Sequence, residues 1–385
     1  MNILVCPSGF KGSISPETAA DCIEAGILRA MPSASVRKVP LADGGEGFAQ
    51  ALVAATNGTI RNHRVTGPLG TPIDSFYGIL GTASPFETKT AVIEMAAAAG
   101  LSLIPKASRN PCITTTYGVG ELISAALDEG VERIIIGCGD SGTSDGGAGM
   151  LQGLGARLID RNGQDLHRAG GGKSLVSLAG IDFSKMHPGL RNVSIEAVCN
   201  WKNVLCGPEG VARVYGPQKG ATPAQTELLA AALETYAVVI HRTLGIKISD
   251  MPGSGASGGL GAGLLLVQAK LRPRYDALIE YFHLEDIFND ADLVFTAEGM
   301  IDDQTPRGKI PAEVALRTQE RGIPLIALAG TVGQGSRVNY AAGVDAFASI
   351  LQRPSTLEEA MEETEQWLAE AAEGAMRMVL IGRRL

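Results

Sequence analysis

The sequence predicts an α/β fold with parallel sheets, in which a second α/β domain is inserted into the first. Three observations point there. Apolar strand-like runs alternate with amphipathic helical stretches at both chain ends, and that alternation implies parallel sheets covered by helices. The middle of the chain changes character, with short strands, turns and one long helix. Glycine-rich polar clusters fall just past the strand-like runs, where open α/β sheets bind ligands.

The elements follow in order. Residues 2–6 form an apolar strand, and Pro7 to Ile14 a glycine-containing loop. Ser15 is placed to cap a helix with Pro16 at its first position, running to about Met31 before Pro32. Val36–Val39 begin the next strand, and the turn at Asp43–Gly47 leads into another helix. From about Thr71 to Ala107 short strands and turns dominate. Thr114–Leu127 reads as a loop entering a helix, Arg133–Ile136 as a buried strand and Pro223–Leu244 as helix. At the C-terminal end Asp292–Ala297, Pro324–Ala329 and Ala346–Ile350 are strands, with a helix near Lys309–Arg321. Ser355 and Glu358 have the spacing of a capping box that opens a final helix towards Arg377.

Composition bounds the function. A formal net charge of −8 repels nucleic acid and anionic membranes, so neither is an expected partner. No apolar run reaches the ~18 residues of a spanning helix, and the N-terminus, read directly as a strand, carries no signal-peptide pattern. The six cysteines show no C-x-x-C spacing and read as reduced thiols of a cytoplasmic protein. The 49 glycines are in excess and clustered, which marks backbone that a Cβ would obstruct.

Five clusters carry candidate chemistry. In Ser8–Ser13, Lys11 is either a compact cation for phosphate or carboxylate or a solvated side chain on a turn. In Asp43-Gly44-Gly45-Glu46-Gly47, Asp43 is a metal ligand, a proton acceptor for a substrate hydroxyl, or a helix-start acid. Gly137–Gly147 interleaves Ser141, Thr143 and Ser144 with glycine and carries Asp145 before its last two glycines, offering amides to an anion and an acid to a metal or proton. Gly253–Gly263 contains G-x-G-x-x-G without a preceding strand, so it is not the dinucleotide fingerprint. It reads as a nest of amides opening a helix at Leu260, suited to polyphosphate, or as close packing through small residues. Glu298–Gly308 with Lys309 places acids and a lysine at a strand's carboxyl end, as phosphoryl transfer requires. Gly171-Gly172-Lys173-Ser174 resembles the end of a phosphate loop, but His167 stands at the first glycine position, and the segment reads as a surface loop.

In order along the chain, these clusters resemble one family, the bacterial two-domain glycerate kinases. The matching blocks include Phe10–Ser13, Pro40–Gly47, Gly67–Gly70, Ile93–Ala96, Thr115–Ile123, Asp145–Leu151, Tyr215–Ala221, Gly255–Gly261 and Phe295–Gly299, with Ile301-Asp302 and Gln304-Thr305. The resemblance implies ATP, Mg²⁺ and D-glycerate, with phosphorylation of the 2-hydroxyl to 2-phosphoglycerate. It also implies a Rossmann-like parallel-sheet domain built from both chain ends, residues 1–70 with 285–385, and an inserted α/β domain, 71–284, with the active site in the cleft between them. The oligomeric state stays open, a homo-oligomer included.

On this combined reading the catalytic candidates are Lys11, Asp43, Asp145, Glu298 and Asp302, with Asp43 and Glu298 toward Mg²⁺. Substrate- or nucleotide-binding candidates are Ser8, Ser13, Gly44, Gly45, Ser141, Thr143, Gly146, Gly147, Asn200, Lys219, Gly255, Ser257, Gly258, Gln304, Thr305 and Lys309. The chain departs from the family pattern at Ser8, Asp140, Asn200, Lys202 and Met300. Asp140 is read as compensating for Ser8, and Lys202 for the arginine usual at Met300. These departures leave a related aldonic acid as an alternative acceptor, and a sugar-acid binder without turnover as the alternative class.

Overall fold

The computed structural model describes residues 1–384 apart from 11, 42, 43, 83, 85, 274–276, 278, 279, 282–286 and 308. Lys11 and Asp43, both expected in the site, therefore lie outside the described residues. The strands in chain order are β1 (Asn2–Val5), β2 (Ser35–Lys38), β3 (Thr59–Thr66), β4 (Pro72–Ile79), β5 (Thr90–Glu94), β6 (Arg133–Gly137), β7 (Arg157–Asp160), β8 (Leu178–Asp182), β9 (Ser194–Cys199), β10 (Lys270–Pro273), β11 (Leu293–Ile301), β12 (Leu325–Val332) and β13 (Ala346–Ser349).

The chain forms two compact units, Met1–Asp43 with Leu278–Leu385, and Gly44–Ala277. The first holds a five-stranded sheet in the order β13-β12-β11-β1-β2, parallel throughout. Its helix Pro16–Ala30 starts where Ser15 accepts a hydrogen bond from Thr18 N at 3.2 Å, with Pro16 next to the cap. The helix buries Ala19, Ala20, Ile23 and Ile27 in a core with Ile3, Val5, Phe295, Trp367, Leu368 and Met376. Each large apolar side chain so enclosed contributes about 1.5–3 kcal/mol. The capping box near the C-terminus lies one residue later than expected. Thr356 and Glu359 exchange the paired bonds, because Thr356 has the extended backbone from which its hydroxyl reaches the third helical amide.

The second unit holds a mixed six-stranded sheet, β10-β9-β6-β5-β4-β3, and the separate β7–β8 hairpin. Its parallel centre, β5, β6 and β9, explains the Ile134-Ile135-Ile136 run, which is buried on both faces. The edge strand β3 carries Arg61, Asn62, His63 and Arg64 exposed, the charged kind of edge that discourages further pairing. The first boundary falls at 43/44 rather than at 70/71. Residues 59–66 pair antiparallel with β4, so the segment after Asp43 belongs to the second sheet. The helix Pro223–Leu244 has the expected bounds, set by a Thr222/Gln225 capping box and by Gly245 in the left-handed region. Among the described residues no helix is long and apolar enough to cross a membrane.

Candidate active site

In the first unit the chemistry gathers at the carboxyl end of the central strand β11. Glu298 is 7% exposed. Its Oε1 accepts from the Thr305 hydroxyl at 2.9 Å, and its Oε2 lies 3.7 Å from Lys309 Nζ. Asp302 Oδ1 accepts from the amides of Gln304 (3.0 Å) and Thr305 (3.1 Å) and from Lys309 Nζ (3.2 Å). Lys309 also donates to the Met300 carbonyl at 2.9 Å. Four of the expected residues, Glu298, Asp302, Thr305 and Lys309, thus form one cluster, with Gln304 exposed at its rim.

Environment splits the two acids. Burial pushes the Glu298 carboxyl up to about 7, against the pull of Lys309. Burial also acts to raise Asp302, but the Lys309 ammonium and the Gln304 amide outweigh it and hold that carboxyl below its ordinary range. A carboxylate that stays ionised beside one that titrates near neutrality separates an electrostatic role from a proton-accepting one.

In the second unit the loops Gly44–Gly47, Gly137–Gly147 and Gly255–Gly259 converge. A Cβ on Gly139 would lie 2.5 Å from Gly45 Cα, and one on Gly259 would lie 2.7 Å from Gly146 Cα. Glu46 N donates to Asp140 Oδ2 at 3.2 Å. Lys219, 3% exposed, donates to Ser141 Oγ at 2.8 Å and to the Thr143 carbonyl at 2.6 Å. Both partners are neutral, so a buried ammonium stands over an amide-rich loop. Desolvation pushes it down to about 7, while the Asp145 charge acts the other way.

Asp145 is enclosed. Its oxygens accept from the amides of Thr116 (2.8 Å), Gly147 (3.1 Å) and Gly149 (3.3 Å) and from the Thr116 hydroxyl. Burial outweighs these donors and holds its carboxyl above the ordinary range, although each donor pulls it down. The carboxylate joins the start of the helix Tyr117–Asp128 to the start of the helix Ala148–Gly153, so its geometry is that of an organiser of the loop.

The Gly253–Gly263 segment does not follow a strand. Ser257, Gly258 and Gly259 all take left-handed backbone inside the helix Ala256–Leu266, the bend expected of an amide nest. Packing through small residues holds as well. A Cβ on Gly258 would fall 1.9 Å from the Thr143 carbonyl oxygen, at φ +72°. Gly258→Ala is expected to lower stability by roughly 2–5 kcal/mol, adding left-handed strain to overpacking. Chemical denaturation measures it, and a loss under 1 kcal/mol would mean the two loops are not held together here.

The remaining expected residues have other bonding partners or are exposed. Ser8 Oγ donates to the Ala297 carbonyl at 2.9 Å, fastening the end of β1 to β11. Ser13 Oγ reaches the Met361 carbonyl and Thr364 Oγ1, both at 2.8 Å, so it ties its loop to the C-terminal helices rather than facing a ligand. Asn200 is exposed and accepts from Lys202 N at 3.2 Å. Met300 is 46% exposed. The Gly171–Ser174 stretch is not a surface loop: it enters a short helical turn, Gly172–Ser177, and Gly172 packs against the Ser144 carbonyl.

Three residues were not singled out from the sequence. Thr116 holds Asp145. Asn339, fully buried, donates to the Asp302 carbonyl at 2.9 Å and to the Ser336 carbonyl at 2.7 Å. Glu94 ends β5, 3% exposed, and accepts from Ala49 N at 3.0 Å. An acid closing an otherwise apolar strand run was the signal available for Glu94.

Lys219 gives a pH signature. Its ordinary value lies near 10.5 and its folded value near 7, so between those limits the unfolded chain binds more protons. Stability therefore carries a cost that is full below pH 7 and is relieved as pH rises toward 10.5. Lys219→Met is expected to remove that slope, read by urea denaturation from pH 6.5 to 9.5. An unchanged slope would refute the desolvated ammonium.

Among the described residues no three His, Cys, Asp or Glu side chains converge as a metal cage. Mg²⁺ is commonly held by one or two carboxylates together with substrate phosphates. The hard oxygens of Glu298 and Asp302 fit an ion that arrives in that way.

A strand-end pair of acids with a lysine in one unit, and glycine loops around a buried ammonium in the other, are the kinds of group that phosphoryl transfer to a small molecule uses. The model of the glycerate kinase family matches residues 3–380. The chain is 46% identical over 373 residues to glycerate kinase of Bacillus subtilis, covering 97% of this chain and 96% of that one. It is 41% identical over 385 residues to glycerate 2-kinase of Escherichia coli K12, covering 100% and 99%. A crystal structure of a Salmonella typhimurium LT2 protein assigned as a glycerate kinase 2 matches with a TM-score of 0.80 at 43% identity, over all of both chains. The chain belongs to the glycerate kinase family. It is a kinase, and ATP is the phosphoryl donor that membership implies.

Proposed function

We propose that this enzyme transfers the γ-phosphoryl group of ATP to the 2-hydroxyl of D-glycerate, giving 2-phosphoglycerate. The observation that carries the reading is the Glu298–Asp302–Lys309 cluster at the carboxyl end of β11. There, a carboxyl raised to about 7 stands 3.7 Å from a lysine ammonium. Kinases depend on orienting the hydroxyl and offsetting charge on the transferring group. In this reading Glu298 takes the hydroxyl proton, Asp302 keeps Lys309 in place, and Lys309 faces the developing charge. Lys219 and the Ser141–Thr143 loop receive a carboxylate or phosphate of a substrate. Mg²⁺ would be held by Asp302 together with the nucleotide phosphates, whose charge it would neutralise. The net charge of −8 supports a small-molecule partner rather than nucleic acid, and a cytoplasmic location accords with it.

The test is incubation with D-glycerate, ATP and Mg²⁺, with ADP release followed by coupled assay and the product assigned by phosphorus NMR. Phosphate on the 3-hydroxyl would overturn the regiochemistry, and no ADP release with glycerate would overturn the acceptor. One observation favours a second acceptor. Met300 offers an exposed thioether where the resembling family usually has an arginine, which suits a longer or less acid-dependent aldonic acid. A panel of hydroxy acids in the same assay ranks the two by kcat/KM.

A further inference from the structure

Glu94 lies where a carboxylate is costly. It closes the buried strand β5, and burial is the largest influence on its carboxyl, which it raises. Two charged neighbours, Glu46 and Asp140, are acids and raise it further, beyond what burial does. Such a group persists when its oxygens are needed as acceptors. Here they receive Ala49 N at 3.0 Å and the Gly47 amide.

Those two amides belong to the start of the helix Phe48–Ala55, whose cap residue Gly47 sits at φ +88° and has no side chain to accept them. The first amides of a helix need acceptors from outside it, and negative charge is favoured there. Glu94 therefore caps this helix from 45 residues away in sequence. The loop that it fastens, Gly44–Gly47, contains three glycines and so has little stiffness of its own. Its other anchor is the Glu46 N to Asp140 Oδ2 bond at 3.2 Å.

We infer that Glu94 is a positioning residue for the reaction: its carboxylate, bonded to the amides of Gly47 and Ala49, holds the Gly44–Gly47 loop in the conformation that receives substrate. The inference rests on the proposed reading of that loop as part of the substrate site. It assigns Glu94 no contact with the reacting atoms.

Glu94→Gln keeps the shape and removes the charge, and Glu94→Asp keeps the charge and withdraws it by one methylene. Hydrogen exchange of the 44–52 peptide, with no substrate present, reads the loop directly. In Glu94→Gln that exchange is expected to accelerate about 10-fold or more, while peptides of β11 and β12 exchange as in the wild type. In steady-state assays KM for glycerate or for ATP is expected to rise about 10-fold with kcat within about 3-fold, the pattern of lost binding. Glu94→Asp is expected to fall between wild type and Glu94→Gln in both readouts, and it carries the test if Glu94→Gln does not fold. Unchanged exchange at residues 44–52 in either folded variant overturns the inference. Accelerated exchange with unchanged KM overturns it too, by showing that the loop does not receive substrate. Activity of the wild type with D-glycerate is measured separately, so a failure of the proposed function is distinguished from a failure of Glu94.

Discussion

Lys309→Met is expected to lower kcat by about 10²–10³-fold, with little change in melting temperature. The ammonium touches Asp302 (3.2 Å), the Met300 carbonyl (2.9 Å) and, at 3.7 Å, Glu298. Its loss removes the cation that would face the transferring phosphoryl group. It also leaves two carboxyls with only Thr305 and loop amides between them. Stability changes little because the lysine side chain is about a third exposed, and partly exposed ion pairs contribute ~0–1 kcal/mol. The same variant moves the acid limb of the pH–rate profile. Lys309 lowers Glu298, so removing it raises a carboxyl already near 7, and activity that needs the ionised form is lost at a higher pH than in the wild type. Lys309→Arg should not restore the rate, since a planar guanidinium cannot take the three-way position of a compact ammonium. Steady-state kinetics from pH 5.5 to 9 measures all of this. A kcat within 5-fold of wild type would remove Lys309 from the chemistry.

The sequence made some of this site legible and concealed the rest for identifiable reasons. The Glu298–Lys309 cluster is local: an apolar strand, its terminal acids and the following helix are contiguous, so period and spacing reveal them. Asp145 was visible as an acid among glycines, but its inward orientation depends on Thr116, 29 residues earlier in the chain. Glu94 showed as an acid closing an apolar strand run, but its role was hidden because its partner Ala49 N is a helix amide 45 residues away, and backbone donors leave no mark in a sequence. The domain boundary at 43/44 was displaced because the exposed residues of β3 give no alternation to read, and its place in the second sheet comes from pairing with β4. Ser13 showed the reverse problem. A hydroxyl in a glycine loop after the first strand looks like a phosphate ligand, and only the final helix, about 350 residues away, shows what it bonds.

Asp145→Ala should be the most destabilising single change in the second unit, at about 3–5 kcal/mol, the range for removing one member of a buried charged network. The methyl group leaves the amides of Thr116, Gly147 and Gly149 and the Thr116 hydroxyl without their acceptor, in a place where water does not replace it. Each buried donor left without a partner costs about 1–3 kcal/mol, and partial collapse of the loop keeps the sum below the simple total. The nearby Lys219 then loses the Asp145 charge that favours its protonated form and goes neutral at lower pH. Asp145→Asn is the informative companion. Its carbonyl keeps some of the accepted bonds, but its NH₂ opposes amides that also donate, so it should recover about half of the lost stability. A shift of 3–5 kcal/mol corresponds to roughly 6–20 °C in melting temperature for a unit of this size. If instead Asp145→Ala melts like the wild type yet has no activity, Asp145 is not the organiser of the loop, and a direct part in the reaction becomes its role.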